Sequence, residues 1–376
     1  MKLTKILCVI IVFIALIIFA GCSKEQTCTV TEKDGVKTYR NKNIPTVEKL
    51  DFNPVKKFTL NSDTNDVNYL SFFDIDVVGL DSEENIYIAD FAVPRVNKYD
   101  KNGKFVTSFV KQGSGPGEVD KITFICVKND TIYIGDQGTQ SVSIFNTSGE
   151  FLHKIRPEGY RYSVLPLDKN KFLCTILSID EIDAKEPYRK ELTILNNSFE
   201  PLKTLNRMNY SPEESRLPDM WDYVYATEDK IYVGVNDKIF YKVNVFDHNG
   251  NLIEVVNKNY AAISFSDQEY DKMDKYVKKL GEPRLNKNRF NKKRAVVGVY
   301  NDKNGNLIVQ PAVDTSIANT ERIVFDFFKD NVYMNSSFLK TDKPYYQCDF
   351  NIFLKFYGNR IMVIDSDKNT VDVFEY

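Results

Sequence analysis

Histidine is nearly missing from this chain of 376 residues, which holds only His153 and His248. So few imidazoles leave little material for a histidine-rich metal site or a Ser-His-Asp triad. His248 falls within Phe246-Asp247-His248-Asn249-Gly250, where a turn role is the favoured reading. Tryptophan is scarcer, with Trp221 alone. Of six cysteines, Cys8 and Cys22 belong to the N-terminus, and the spacing of Cys28, Cys126, Cys174 and Cys348 matches no metal motif. Disulfides are permitted outside the cytoplasm, yet Cys126 and Cys174 lie in apolar strand patterns and read as small core residues. An excess of one charge is missing too. Fifty Lys and Arg face 52 Asp and Glu, a net charge of −2, or about −4 once Lys2 and Lys5 are removed with a leader, so no nucleic-acid partner is expected. The local exception, Lys287, Arg289, Lys292, Lys293 and Arg294, is expected to be a solvated surface run.

What the chain does have is a repeat. Asn85-Ile86-Tyr87-Ile88-Ala89-Asp90 is answered by Thr131-Ile132-Tyr133-Ile134-Gly135-Asp136, and each copy continues through a second strand and a glycine turn into a third. Those turns, Asn102-Gly103 and Ser148-Gly149, mark β-hairpins in series. Their glycines stand roughly 46 residues apart, the period of a four-stranded propeller blade. The spacing predicts an all-β, six-bladed β-propeller over 48–376 with four-stranded antiparallel blades. Strands a to d run from the axis outwards, beginning with Phe73–Val78, Ile86–Ile88, Arg95–Tyr99 and Phe105–Phe109. The sixth blade supplies only three strands, 353–356, 361–364 and 371–374, before the chain stops. Lys56-Lys57-Phe58-Thr59-Leu60 is therefore predicted to be its outer strand, which would remove the free edge.

The N-terminus carries Lys2 and Lys5, an apolar run from Ile6 to Phe19, then Ala20-Gly21-Cys22. That run is shorter than the ~20 residues of a spanning helix and reads as an export signal, an uncleaved anchor being the alternative. It resembles a bacterial lipoprotein signal, although Phe19 replaces the usual Leu. The resemblance implies cleavage after 1–21, lipid attachment at Cys22 and anchoring to the cell membrane or outer membrane. Ser23 would favour the outer one. Residues 22–47 then form a lipidated cysteine, a tether and a small hairpin around Asp34-Gly35.

Over 72–157 the chain resembles the NHL-repeat family of six-bladed propellers. The matching residues are 85–90, Arg95-Val96, Asn102-Gly103 and the loop Gly113-Ser114-Gly115-Pro116-Gly117-Glu118, found in bacterial lipoprotein propellers. That loop has no helix behind it to face a phosphate and is expected to link two blades. Asp90 and Asp136 are expected to close strand ends by bonding nearby amides. Blade three departs from the pattern, with Asn197-Ser198 where the turn glycine would stand.

Three connections, 179–190, 209–221 and 257–292, enlarge one rim, called the top. Within the last, Ser266 and Glu269 fit a capping box, and Tyr270, Met273, Val277 and Leu280 form one apolar stripe. A helical insertion between blades four and five follows, either a lid or a packed edge. Candidate ligand-face residues are Trp221, Asp219 and Tyr270. Asp74 and Asp76 are weak metal candidates, by analogy with gluconolactonase-type propellers. The leading expectation is a monomeric binding or scaffold module offering its top face to a protein, peptide or glycan, with no cofactor. The alternative is a metal-dependent lactonase-like hydrolase or lyase with a cation in the channel.

Overall fold

The computed structural model describes residues 25–61, 66, 68–71, 77–156, 161–168, 170–179, 188–210, 223–279, 291–342, 344–345 and 352–376. The signal and Cys22 lie outside this set. Alternating apolar residues and short polar turns give four-stranded antiparallel sheets, as the period requires. Blade one holds Val78–Leu80, Ile86–Asp90, Arg95–Tyr99 and Phe105–Phe109; blade two holds Ile122–Lys128, Thr131–Asp136, Ser141–Asn146 and Phe151–Ile155. Blade three has Arg161–Pro166, Lys171–Ile179, Tyr188–Asn196 and Pro201–Tyr210; blade four has Tyr223–Ala226, Lys230–Gly234, Tyr241–Asp247 and Leu252–Lys258. Blade five is Val296–Asn301, Leu307–Pro311, Arg322–Lys329 and Val332–Lys340. Blade six takes Ile352–Tyr357, Arg360–Asp365 and Thr370–Glu375 from the C-terminus, and its outer strand is Val55–Leu60, antiparallel to the last. The ring is thus closed by the strand expected to close it.

Six apolar clusters fill the gaps between consecutive blades. Ile132, Ile134 and Phe145 of blade two meet Tyr87, Ala89 and Val96 of blade one, while Leu60, Met362 and Val373 of blade six meet Ile86 and Ile88 across the closure. Because strand side chains alternate, each sheet presents one apolar set to each neighbour, and burial on both faces is what specifies register.

One chemistry recurs at the tight turns. Asp81, Asp100, Asn146, Asn196, Asp247 and Asp302 each accept, through the side-chain oxygen, the amides two and four residues on, at 2.8–3.0 Å. The fourth position of these turns needs positive φ. Gly149 has φ +85°, and a Cβ there would stand 2.8 Å from the Phe109 ring of the preceding blade. In blade three the equivalent residue is neither Asn197 nor Ser198 but Phe199, at φ 63°. Its buried ring stacks on Phe172 at 4.7 Å.

Some extents differ from expectation. The inner strand of blade one begins at Val78, where the expected strand 73–78 was to end, and residues 73–76 lie outside the described set. Strands b, c and d of blade three run on toward the top rim, to Ile179, from Tyr188 and to Tyr210. The N-terminal hairpin, β1 (Cys28–Lys33) with β2 (Val36–Asn41), is no free-standing unit: β2 pairs in parallel with the outer strand of blade four, making a six-stranded sheet. Asn41 locks the junction, donating to Asn257 O and Asn331 O and accepting from Tyr333 N. The chain then crosses blade five, where Thr46 N donates to Met334 O at 2.9 Å. It next buries Phe52 against Phe327 and Tyr376 before entering blade six.

Candidate functional site

The inner strands of all six blades enclose an axial cavity of about 430 Å³. Strand a descends from the top rim, so each inner strand carries a mouth residue at one end and a floor residue at the other. Val127, Leu165, Val224, Val299 and Leu354 give apolar walls. Polar groups are few and separate by level. Toward the top stand Ser163, Thr175, Tyr223, Gln310 and Tyr345; toward the bottom stand Lys128, Tyr225, Lys355 and Tyr357.

Tyr300 connects the levels. Its ring lies flat on Phe356 at 4.6 Å, its hydroxyl donates to Gln310 Oε1 at 3.2 Å, and Gln310 Nε2 donates to Tyr345 at 3.3 Å. Gly298 makes this possible, since a Cβ there would approach the Tyr300 hydroxyl to 2.5 Å. Burial, with Tyr345 and Tyr223 nearby, pushes the Tyr300 phenol well above its ordinary pKa. Burial, with Tyr357 and Asp302 nearby, likewise pushes Tyr225 up to about 12. These phenols stay protonated at neutral pH and act as neutral hydrogen-bonding groups. Among the described lining residues the charged side chains are Lys128 and Lys355, and none is a carboxylate.

Asp74, Asp76, Asp219 and Trp221 lie outside the described residues. Tyr270 is described and is buried, its ring 5.9 Å from Phe265. It sits in helix α1 (Asp267–Lys279), whose capping box forms as read: Ser266 N donates to Glu269 Oε2 at 2.9 Å and Glu269 N to Ser266 Oγ at 3.3 Å. Met273 is buried beside Tyr270 on the helix; the Val277 and Leu280 side chains are outside the described set.

The basic run is corrected by the structure at two of its positions. Lys293 is fully buried and Arg294 is 1% exposed, while Lys287 and Arg289 lie outside the described residues. Lys293 Nζ meets Glu269 Oε1 at 2.5 Å and donates to Val313 O at 2.9 Å, and Thr315 Oγ1 donates to Glu269 Oε2 at 2.8 Å. Arg294 places its guanidinium 4.4 Å over the Tyr223 ring and donates to Gly234 O at 3.0 Å. Burying a cation is costly unless it is paired and hydrogen-bonded; Lys293 is held so by Glu269 and Val313 O, and Arg294 is held by the Tyr223 ring and Gly234 O. Together they clamp the insertion to blade five and brace the top mouth between blades four and five. Composition alone could not show this, because the partners Glu269 and Tyr223 stand far away in sequence.

Asp90 and Asp136 close their strand ends as expected. Asp136 accepts from the Lys121 and Gly138 amides and the Thr139 hydroxyl, and Asp90 from the Ala92 amide. Burial would raise the Asp136 pKa, but the Thr139 hydroxyl and the Lys121 and Asp120 amides hold it below the usual carboxylate value. The glycine loop joins blades one and two and folds on itself, Gly115 N donating to Glu118 Oε2 at 2.9 Å. Cys174 is buried, as expected of a small core residue, whereas Cys126 is only partly buried and stands on the channel wall instead of in the core. Cys348 lies outside the described residues.

Six radial sheets around an axial cavity define a six-bladed β-propeller. The family DUF5128, described as a 6-bladed beta-propeller, matches residues 63–211. No curated protein matches the chain. Among solved structures, a Bacteroides fragilis NCTC 9343 protein provisionally described as exported is 12% identical, with 90% of this chain and 98% of that one covered at a TM-score of 0.48. The WD40 beta propeller domain of Doa1 is also 12% identical, covering 79% and 77% of the two chains at 0.41. BamB from Moraxella catarrhalis is 12% identical over 80% and 82%, at 0.34.

Proposed function

We propose that this chain is an exported, lipid-anchored propeller of NHL-repeat-like type that serves the cell envelope as a binding module. Its ligand is a peptide or protein segment whose apolar side chain enters the top mouth of the axial cavity. The carrying observation is the lining. Apolar walls with a few convergent neutral polar groups, Ser163, Thr175, Gln310 and Tyr345, are the usual make-up of a binding pocket. Anchoring rests on the leader and Cys22 in the sequence.

A peptide library screened against the purified protein tests the reading, with Ser163→Trp as the variant that narrows the mouth. Ligand at a hundred times its Kd adds about 2.7 kcal/mol of stability, a shift readable by thermal melting. Binding lost in a well-folded Ser163→Trp protein supports the site. Binding undiminished by that substitution overturns it.

A further inference from the structure

We propose that the top rim of blade four is a membrane-contacting surface, with Ile239 and Phe240 entering the headgroup region of the bilayer that holds the lipid on Cys22. This rests on the anchoring reading above and adds an orientation to it.

Strand direction fixes the side. Cys28 pairs with Asn41, Asn41 with Lys258, and Lys258 with Tyr241, so these four residues line one end of the six-stranded sheet. It is the top end, from which the b–c loop of blade four rises. Thr27 is held there as well, its carbonyl accepting Lys42 N at 2.8 Å. From Thr27 back to Cys22 the extended chain reaches about 17 Å at most. Three strand spacings put Tyr241 about 15 Å from Cys28. The anchor and the loop therefore share one edge of the molecule.

The loop is built to hold two apolar side chains in water. Ile239 and Phe240 are 63% and 64% exposed. Asp237 Oδ1 accepts both of their amides, at 2.7 and 2.8 Å, and Asp237 O accepts Ala295 N at 2.8 Å. Elsewhere among the described residues, large exposed apolar side chains stand singly in sequence: Val93, Ile179 and Ile317 on the same face, Val55, Val106, Leu152, Leu202 and Phe338 on outer strands, and Val30 on the N-terminal hairpin. Single ones are ordinary surface. An adjacent aliphatic–aromatic pair, braced to blade five and flanked by Lys238, is what an interface of headgroups and upper acyl chains accommodates. A partner protein would suit the side chains equally, but the reach of the tether favours the bilayer.

The test uses full-length protein with the mass of its Cys22 modification verified, reconstituted into phosphatidylethanolamine and phosphatidylglycerol vesicles carrying brominated acyl chains. In a Trp221→Phe background, Phe240→Trp should be quenched several-fold more than Val106→Trp. Equal quenching at the two positions in lipidated protein overturns the proposal. An unmodified Cys22, with no flotation on vesicles, defeats the anchoring reading instead, so the two failures are distinguishable. Hydrogen exchange of residues 236–241 in the unsubstituted protein serves where Trp221→Phe disturbs folding. Slowing in vesicles relative to detergent supports the proposal. Slowing only after envelope proteins are added assigns the loop to a protein partner and overturns it, as does unchanged exchange.

Discussion

Removing the Lys293 ammonium from beneath helix α1 isolates the energetics of the clamp. The two side chains are 1% and 0% exposed, so neither charge is eased by solvent. Lys293→Met leaves the Glu269 carboxylate with Ser266 and Thr315 as donors but without its counter-charge. Breaking one side of such a buried pair costs about 3–5 kcal/mol. At ~2.1 cal/mol/K per residue, the roughly 300 described residues have an unfolding entropy near 0.6 kcal/mol/K, so Tm should fall by about 5–8 °C. The double variant Glu269→Gln/Lys293→Met removes both charges and should recover most of the loss, the coupling being read from a double-mutant cycle. Calorimetry supplies Tm, and hydrogen exchange over 267–279 detects a helix that detaches before the ring melts. Lys293→Met within about 1 kcal/mol of wild type, with helix exchange unchanged, would refute the reasoning.

Deleting residues 52–61 exposes the edge of blade six and should lower the melting temperature sharply, whereas Leu60→Ala should cost about 2–5 kcal/mol in chemical denaturation; an unchanged melt in the deletion would show that the ring closes another way. Phe199→Gly relieves a left-handed residue, about 1–2 kcal/mol, but removes a buried ring at about 3–5 kcal/mol, so urea unfolding should show net destabilisation. A gain in stability would mean that the φ of 63° outweighs the stacking on Phe172. The Asp136 carboxyl is held below its ordinary value, so its contribution is complete above the unfolded carboxylate range, about pH 4, and is lost as pH falls through the depressed folded value. Asp136→Asn should flatten the acid limb of stability against pH, and an acid limb as steep as wild type would count against that assignment.

The ring was legible because its signals are local and repeated. Alternation in Ile132-Tyr133-Ile134, with an Asx-type turn every few strands, states blade after blade what each segment does, and an unpaired edge in blade six points to the one spare strand, 56–60. The capping box Ser266–Glu269 is equally local. What the sequence hid is made of long-range partners. Lys293 and Arg294 look like a solvated basic run until Glu269 and Tyr223 are brought beside them. Asp34-Gly35 announces a hairpin, yet its parallel docking on blade four joins residues more than two hundred apart and leaves no local pattern. The Tyr300–Gln310–Tyr345 chain in the cavity depends on an upward-pointing phenol that only Gly298 permits. Phe199 in a glycine position is a local exception sustained by a tertiary contact.

The placement of the N-terminal hairpin has a mechanical meaning. Load applied through the N-terminus arrives at Cys28 and is resisted at Asn41, and both sit at the same open end of the hairpin. Such a pair is unzipped bond by bond instead of being sheared all at once. Cys28–Asn41 can therefore pay out about 45 Å of chain before any force reaches the belt over blade five or the strand that seals the circle. The molecule carries its own slack, and a tug on its leash is spent on two added strands outside the four-stranded blades while the disc stays whole.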